Sequence, residues 1–280
     1  DVAIKTVQQL QDIEVKTSMT KQTGQQRIQK AFHHKAFIPF ITCGDPDLAT
    51  SKAIIRTLAA NGADIIELGI PFSDPTAEGP VIQEANLRAL KNQVTTDDIF
   101  QMVADLRQDL TVPMVIMTYA NVVFSYGTQR FIQKAQEVGI DGLVLPDVPY
   151  EEKEEFNQVC QQYGLAFISL IAPTSHERIA KIAKEANGFL YCVSSLGVTG
   201  VRSQINTDLG SMIAAVRKAN PTIPVAIGFG IATSEQAKQM SQLADGVIIG
   251  SAIVKQIGQH QQNAPEILAE YAKSIVQSIR

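Results

Sequence analysis

Residues 67–80 of this chain read Glu-Leu-Gly-Ile-Pro-Phe-Ser-Asp-Pro-Thr-Ala-Glu-Gly-Pro. One carboxylate, Glu67, ends an apolar run that begins Asp64-Ile65-Ile66, and the turn-rich loop behind it carries Asp74 and Glu78. A strand-end acid facing a loop acid is equipment for general acid/base catalysis, because one group can give a proton while another takes one. Further along, Gly228, Gly230 and Gly250, with Ser251 opening a helical stretch, offer bare backbone N–H groups near helix starts, a setting that suits a phosphate. Gly197-Val-Thr-Gly200, followed by Arg202, Ser203 and Gln204, has the composition of a glycine-hinged lid.

These residues need a scaffold, and the chain alternates apolar strand-like runs with amphipathic helical stretches from Phe37 onward. The strands read as Phe37–Cys43, Asp64–Leu68, Pro113–Thr118, Gly142–Leu145, Ala166–Ile171, Phe189–Val193, Pro224–Ile227 and Gly246–Ile249. Near-continuous Val/Ile/Leu runs fit parallel strands covered on both faces, and the segments between them show helical spacing, as at Ile54, Ile55 and Leu58. Eight such units predict a TIM (β/α)8 barrel, whose reactive residues lie at the C-terminal strand ends. An open doubly wound sheet is the alternative, but no glycine-rich fingerprint follows the first strand.

Ile28 and Phe32 predict an extra short helix over residues 25–34 that covers the N-terminal mouth of the barrel. Leu268, Tyr271, Ala272, Ile275 and Ile279 share one face of a final helix, with Pro265 near its start. Residues 25–280 therefore read as one catalytic barrel domain. Residues 1–24 are polar and weakly periodic, and read as a poorly ordered extension or expression remnant, with Met19 a candidate original start.

The chain has 280 residues, of which 45% are hydrophobic, enough for one large core. A net charge of −4 with basic residues scattered among acids argues against nucleic acid as a partner. No run approaches a membrane span and no signal pattern opens the chain, so a cytoplasmic protein is expected. Cys43, Cys160 and Cys192 are odd in number and far apart, which predicts free, buried thiols. The four histidines lack metal-ligand spacing and no Cys-x-x-Cys occurs, so no metal is expected. Neither lysine nor histidine stands at the expected strand ends, which disfavours Schiff-base and metal aldolases and leaves carboxylate chemistry.

Taken in order, Phe37-Ile-Pro-Phe-Ile-Thr with Gly44-Asp-Pro46, the run from Glu67 to Pro75, Tyr119-Ala-Asn121, Asp147-Val-Pro149, Gly197–Gly200, Gly228-Phe-Gly230 and Gly250-Ser251 resemble the α subunit family of tryptophan synthase. The resemblance runs from about residue 25 to 280. It implies a lyase of tryptophan biosynthesis that cleaves indole-3-glycerol phosphate to indole and glyceraldehyde 3-phosphate without a cofactor of its own. It also implies an α2β2 heterotetramer whose β subunit carries pyridoxal phosphate.

By the same resemblance, Glu67 protonates indole C3, and Glu78 matches the family's second carboxylate, an aspartate near the indole nitrogen. Phe40, Ile82, Met117 and Phe229 match an apolar indole slot, and Tyr191 an aromatic beside the glycerol chain. Gly200, Gly230, Gly250 and Ser251 match the phosphate cradle, and Thr199 a lid residue that bonds the second carboxylate. Pro71, Phe72, Asp74, Asn121, Asp147 and Pro149 are expected to serve the partner interface or support the loops.

Two positions depart from the family pattern, Glu78 in place of aspartate and Thr76 in place of an aliphatic residue. The charge at position 78 is kept, but the reach changes by roughly an ångström, enough to matter where geometry is tight. Two other readings are therefore a catalytically weak α subunit retained as an allosteric partner, and a free-standing indole-releasing lyase.

Overall fold

The computed structural model describes residues 22–173, 175–193, 202–228 and 230–280. Its strands are β1 (Ala36–Thr42), β2 (Ile66–Gly69), β3 (Met114–Met117), β4 (Gly142–Val144), β5 (Ala166–Phe167), β6 (Ser169–Ile171), β7 (Leu190–Val193), β8 (Val225–Gly228) and β9 (Gly246–Ile249). All neighbours pair in parallel, in the order β5-β4-β3-β2-β1-β9-β8-β7-β6. Since β5 and β6 come from one run interrupted only at Ile168, the nine strands nearly close a TIM barrel. The fifth expected strand is split because its first half pairs with β4 and its second half with β7.

Helices wrap the outside: α1 (Gly24–Lys30), α2 (Leu48–Ala60), α3 (Pro80–Lys91), α4 (Thr96–Leu106), α5 (Ala120–Tyr126), α6 (Thr128–Val138), α7 (Glu154–Gln162), α8 (His176–Glu185), α9 (Arg202–Ala219), α10 (Ser234–Leu243), α11 (Ser251–His260) and α12 (Ala264–Ile279). Local chemistry sets several of their starts. Thr23 and Gln26 form a capping box on α1, Thr95 and Asp98 on α4, and Thr233 and Gln236 on α10, each satisfying backbone N–H groups that a helix start leaves over. Pro265 stands in the first turn of α12, and Leu268, Ala272, Ile275 and Ile279 are buried along one face as their spacing requires. Tyr271 is only partly buried and its hydroxyl donates to the Ala232 carbonyl at 2.8 Å.

Alternate residues of each strand go to two different cores, as the period of two demands. Outward residues such as Phe37, Ile41, Leu68, Ile116 and Ile227 meet the helices, while Ile38, Ile65, Val115, Val144, Ala226 and Ile248 fill the barrel interior. Cys43 and Cys192 belong to the outer core, and all three cysteines are buried and free. Among the described residues no helix is long and apolar enough to cross a membrane.

The N-terminal end of the barrel is plugged by α1 and the turn after it. Ile28 is fully buried within the interior core, and the Phe32 ring sits 5.6 Å from that of Phe189. Gly142 and Gly246 make room for this plug, because a Cβ on either would lie 3.1 Å from Ile28 or Phe32 respectively. Beneath it, Asp141 holds Arg27 and Arg107 at 2.9 Å each, and all three side chains are buried. The extension read over residues 1–24 lies mostly outside the described residues; Thr23 and Gly24 are the cap and first residue of α1.

Candidate active site

Glu67 sits in β2 with Phe40 of β1 beside it on one side and Val115 of β3 on the other. It shares the inward parity of Ile65, so its side chain enters the barrel interior near the C-terminal end. The residue is 1% exposed, and neither carboxylate oxygen has a hydrogen-bond partner among the described residues. Burial, with the charge of Glu78 adding to it, pushes its pKa up to about 8. Desolvation disfavours the charged form, so this carboxyl is mostly protonated at neutral pH and can act as an acid.

Glu78 lies at the other end of the loop, just before Gly79, which caps α3, and Pro80, which opens it. It is half-buried, which raises its pKa, while the hydrogen bond from the Tyr119 hydroxyl to its Oε2 works in the opposite direction. The Tyr119 oxygen also accepts the Ala77 N–H at 3.0 Å. The two acids thus differ in setting. Glu67 is buried and has no partner among the described residues; Glu78 is half-buried and held by a phenol.

Beside the acids, Phe40 and Ile82 form one apolar cluster with Ala85 and Val254, and Met117 lies against it. Three of the four residues expected in the slot are therefore together, contributed by β1, α3 and β3; the fourth, Phe229, lies outside the described residues. Gly69 is a condition of this arrangement, since a Cβ there would stand 2.5 Å from Phe40 Cζ. Gly69→Ala should cost about 1–3 kcal/mol by overpacking and raise KM as the Phe40 ring is displaced, checked by thermal melts and steady-state kinetics.

Tyr191 of β7 is buried on the interior face and lies over Gly228, where a Cβ would be 2.9 Å from the ring. Burial, and secondarily the nearby Glu67, raise its phenol pKa, so it remains a neutral donor. Gly230 adopts φ +70°, which favours glycine, and Gly250 caps α11 with Ser251 as its first residue. Thr199 and Gly200 lie outside the described residues.

The remaining expected residues lie on the loops around this mouth. Pro71 is buried in the acid-bearing loop, and the Phe72 ring lies 5.2 Å from that of Tyr119. Asp147 accepts the Ala120 N–H with both oxygens, at 3.1 and 3.2 Å. Asp74, bonded by the Ser73 hydroxyl at 2.6 Å, is exposed, as are Asn121 and Pro149. Two side chains of the mouth belong to the motifs quoted from the sequence but were assigned no site role there. Tyr119 is one. Thr42 is the other, buried with the parity of Phe40 and with no partner for its hydroxyl among the described residues. Their signal was parity: each is two residues beyond an inward-facing position.

A parallel barrel whose C-terminal mouth joins a buried neutral acid, a second carboxylate and an apolar slot defines a TIM-barrel enzyme built for acid/base chemistry. The family model of the tryptophan synthase alpha chain matches residues 27–279. The tryptophan synthase alpha chain of Lacticaseibacillus casei is 48% identical over 243 residues, 87% of this chain and 91% of that one. Among solved structures, tryptophan synthase subunit alpha from Legionella pneumophila superposes with a TM-score of 0.82 at 38% identity, covering 90% of this chain and 98% of its own. A chain of the Pyrococcus furiosus tryptophan synthase a2b2 complex gives 0.80 at 34% identity, covering 87% and 98%. This chain belongs to the tryptophan synthase alpha chain family.

Proposed function

We propose that this chain is the lyase that cleaves indole-3-glycerol phosphate to indole and glyceraldehyde 3-phosphate, working as the α subunit of an α2β2 tryptophan synthase in the cytoplasm. The observation that carries the reading is Glu67, a buried and unpaired carboxyl with a raised pKa, set beside an apolar slot and within the electrostatic reach of Glu78. In this scheme the indole ring lies among Phe40, Ile82, Met117 and Phe229. Glu67 gives its proton to C3, which becomes tetrahedral and leaves positive charge on the ring nitrogen. Glu78 stabilises that charge as a carboxylate.

The bond between C3 and the glycerol carbon then breaks and its electrons return to the ring. The hydroxyl on that carbon becomes the aldehyde as its proton passes to the Glu67 carboxylate, which restores the acid. Tyr191 orients the glycerol chain, while Gly200, Gly230, Gly250 and Ser251 cradle the phosphate with backbone N–H groups and Thr199, on the lid, bonds the second carboxylate. The helix start at Ser251 and the left-handed turn at Gly230 support this assignment. No cofactor is needed in this chain. The exposed Asp74, Asn121 and Pro149 would serve the interface with the β subunit or support the loops, and that subunit would hold pyridoxal phosphate and consume the indole.

Steady-state cleavage of indole-3-glycerol phosphate by the isolated chain, with and without β subunit, tests this reading. Cleavage in both conditions, with formation of a complex, is expected. No turnover in either, despite tight β binding, would leave only an allosteric role. Full turnover with no β binding would remove the heterotetramer from the reading.

A further inference from the structure

Tyr119 follows β3 and has the inward parity of Val115 and Met117, and it holds the loop that follows the neighbouring strand β2. Three contacts tie that loop to one ring. The Phe72 ring lies against it at 5.2 Å, its hydroxyl accepts the Ala77 N–H at 3.0 Å, and the same hydroxyl donates to Glu78 Oε2. The ring is itself fixed, because it is 3% exposed and the next peptide N–H is gripped by both oxygens of Asp147. A phenol with one acceptor and one donor role committed within two adjacent residues leaves the Glu78 carboxylate little freedom.

We propose that Tyr119 is the positioning residue of the second carboxylate: its hydroxyl sets where the Glu78 carboxylate stands, and so fits the longer glutamate side chain to its work at the indole nitrogen. This rests on the cleavage reading given above. A glutamate has one more rotatable bond than an aspartate, and a free carboxylate at that distance would sample positions roughly an ångström apart. The phenol removes that freedom by charge-assisted hydrogen bonding, a contact stronger than one between neutral groups. The titratable side chains acting on Glu78 among the described residues are Tyr119, bonded to it, and Glu67, coupled to it by charge.

The test is a double-mutant cycle on kcat with Tyr119→Phe, Glu78→Asp and the pair, together with carbon-13 NMR titration of the Glu78 carboxyl in the full chain. Each single change should lower kcat by about ten- to a hundredfold with KM little altered, and the pair should be no worse than the more damaging single. Tyr119→Phe should also raise the Glu78 pKa, because the bond it deletes favours the ionised form. The acid limb of the rate profile then moves to higher pH. Multiplicative losses in the cycle, or an unmoved Glu78 titration, would overturn the proposal. If the parent chain cleaves nothing, the cleavage reading fails, while the NMR titration still decides whether Tyr119 governs Glu78.

Discussion

Glu67→Gln should abolish cleavage of indole-3-glycerol phosphate while leaving its binding nearly intact. The amide keeps the size of the side chain but cannot deliver a proton to C3, and a positioned general acid is worth about 10²–10⁴-fold in rate. No other described acid stands in the same place, because Glu78 is tied to Tyr119 at the far side of the loop. Single-turnover kinetics with equilibrium binding of the substrate check this, and turnover near that of the parent would remove Glu67 from the mechanism. In the parent enzyme the rate should fall as pH rises through about 8, where the acid form of Glu67 is lost.

The same substitution has a second consequence with a definite sign. The folded-state pKa of Glu67 is raised from the ordinary 4.5 to about 8, so between those values the native state holds a proton that the unfolded chain has released. Stability contributed by this group is therefore lost as pH rises from 4.5 through about 8, at up to about 1.4 kcal/mol per pH unit. Glu67→Gln removes that loss. Urea unfolding at pH 9 should find the variant more stable than the parent by a few kcal/mol, with the two nearly matched at pH 5. A variant that is less stable at both pH values would contradict the protonation state assigned here.

Asp141→Asn should be the most destabilising change at the closed end of the barrel. Asp141 accepts from Arg27 and Arg107 at 2.9 Å each and from the Met114 N–H at 2.8 Å. Arg107 also donates to the carbonyls of Leu110, Val112 and Gly139, which ties the loop before β3 to the end of α6. Removing the one anion leaves two buried guanidinium groups without a counter-charge, a defect that costs about 3–5 kcal/mol. At about 2–4 °C per kcal/mol this lowers Tm by roughly 10 °C. Calorimetry checks it, and kcat measured well below the new Tm should stay near that of the parent. A fall in kcat without a fall in Tm would place the network in catalysis instead.

Much of this could be read from the residues before any coordinates. Alternating apolar runs located all the strands, because strands covered on both faces must be apolar throughout. Their one misreading, Ala166–Ile171 as a single strand, was invisible in side-chain pattern because the break at Ile168 lies in the hydrogen-bond ladder, which changes partner from β4 to β7. Glu67 stood out because a carboxyl at the end of an apolar strand is either half of an ion pair or a reactive group, and among the described residues no ion-pair partner meets it. The bond from Tyr119 to Glu78 was not legible, since the two are 41 residues apart and a tyrosine beginning a helix reads equally well as a cap. The Arg27–Asp141–Arg107 network was hidden for the same reason. Its members lie in three separate elements, each ordinary by itself, and only barrel closure brings them together.

The plug formed by Ile28 and Phe32 closes the N-terminal end of the barrel among the described residues. Substrate must enter, and both products must depart, through the C-terminal rim, where Asp74, Asn121 and Pro149 stand exposed. Traffic through a single doorway is governed by whatever is seated against it. A β subunit docked on that rim, as proposed above, needs no contact with Glu67 to influence where the indole goes. The closed floor, far from the chemistry, leaves that rim as the end through which such an influence would act.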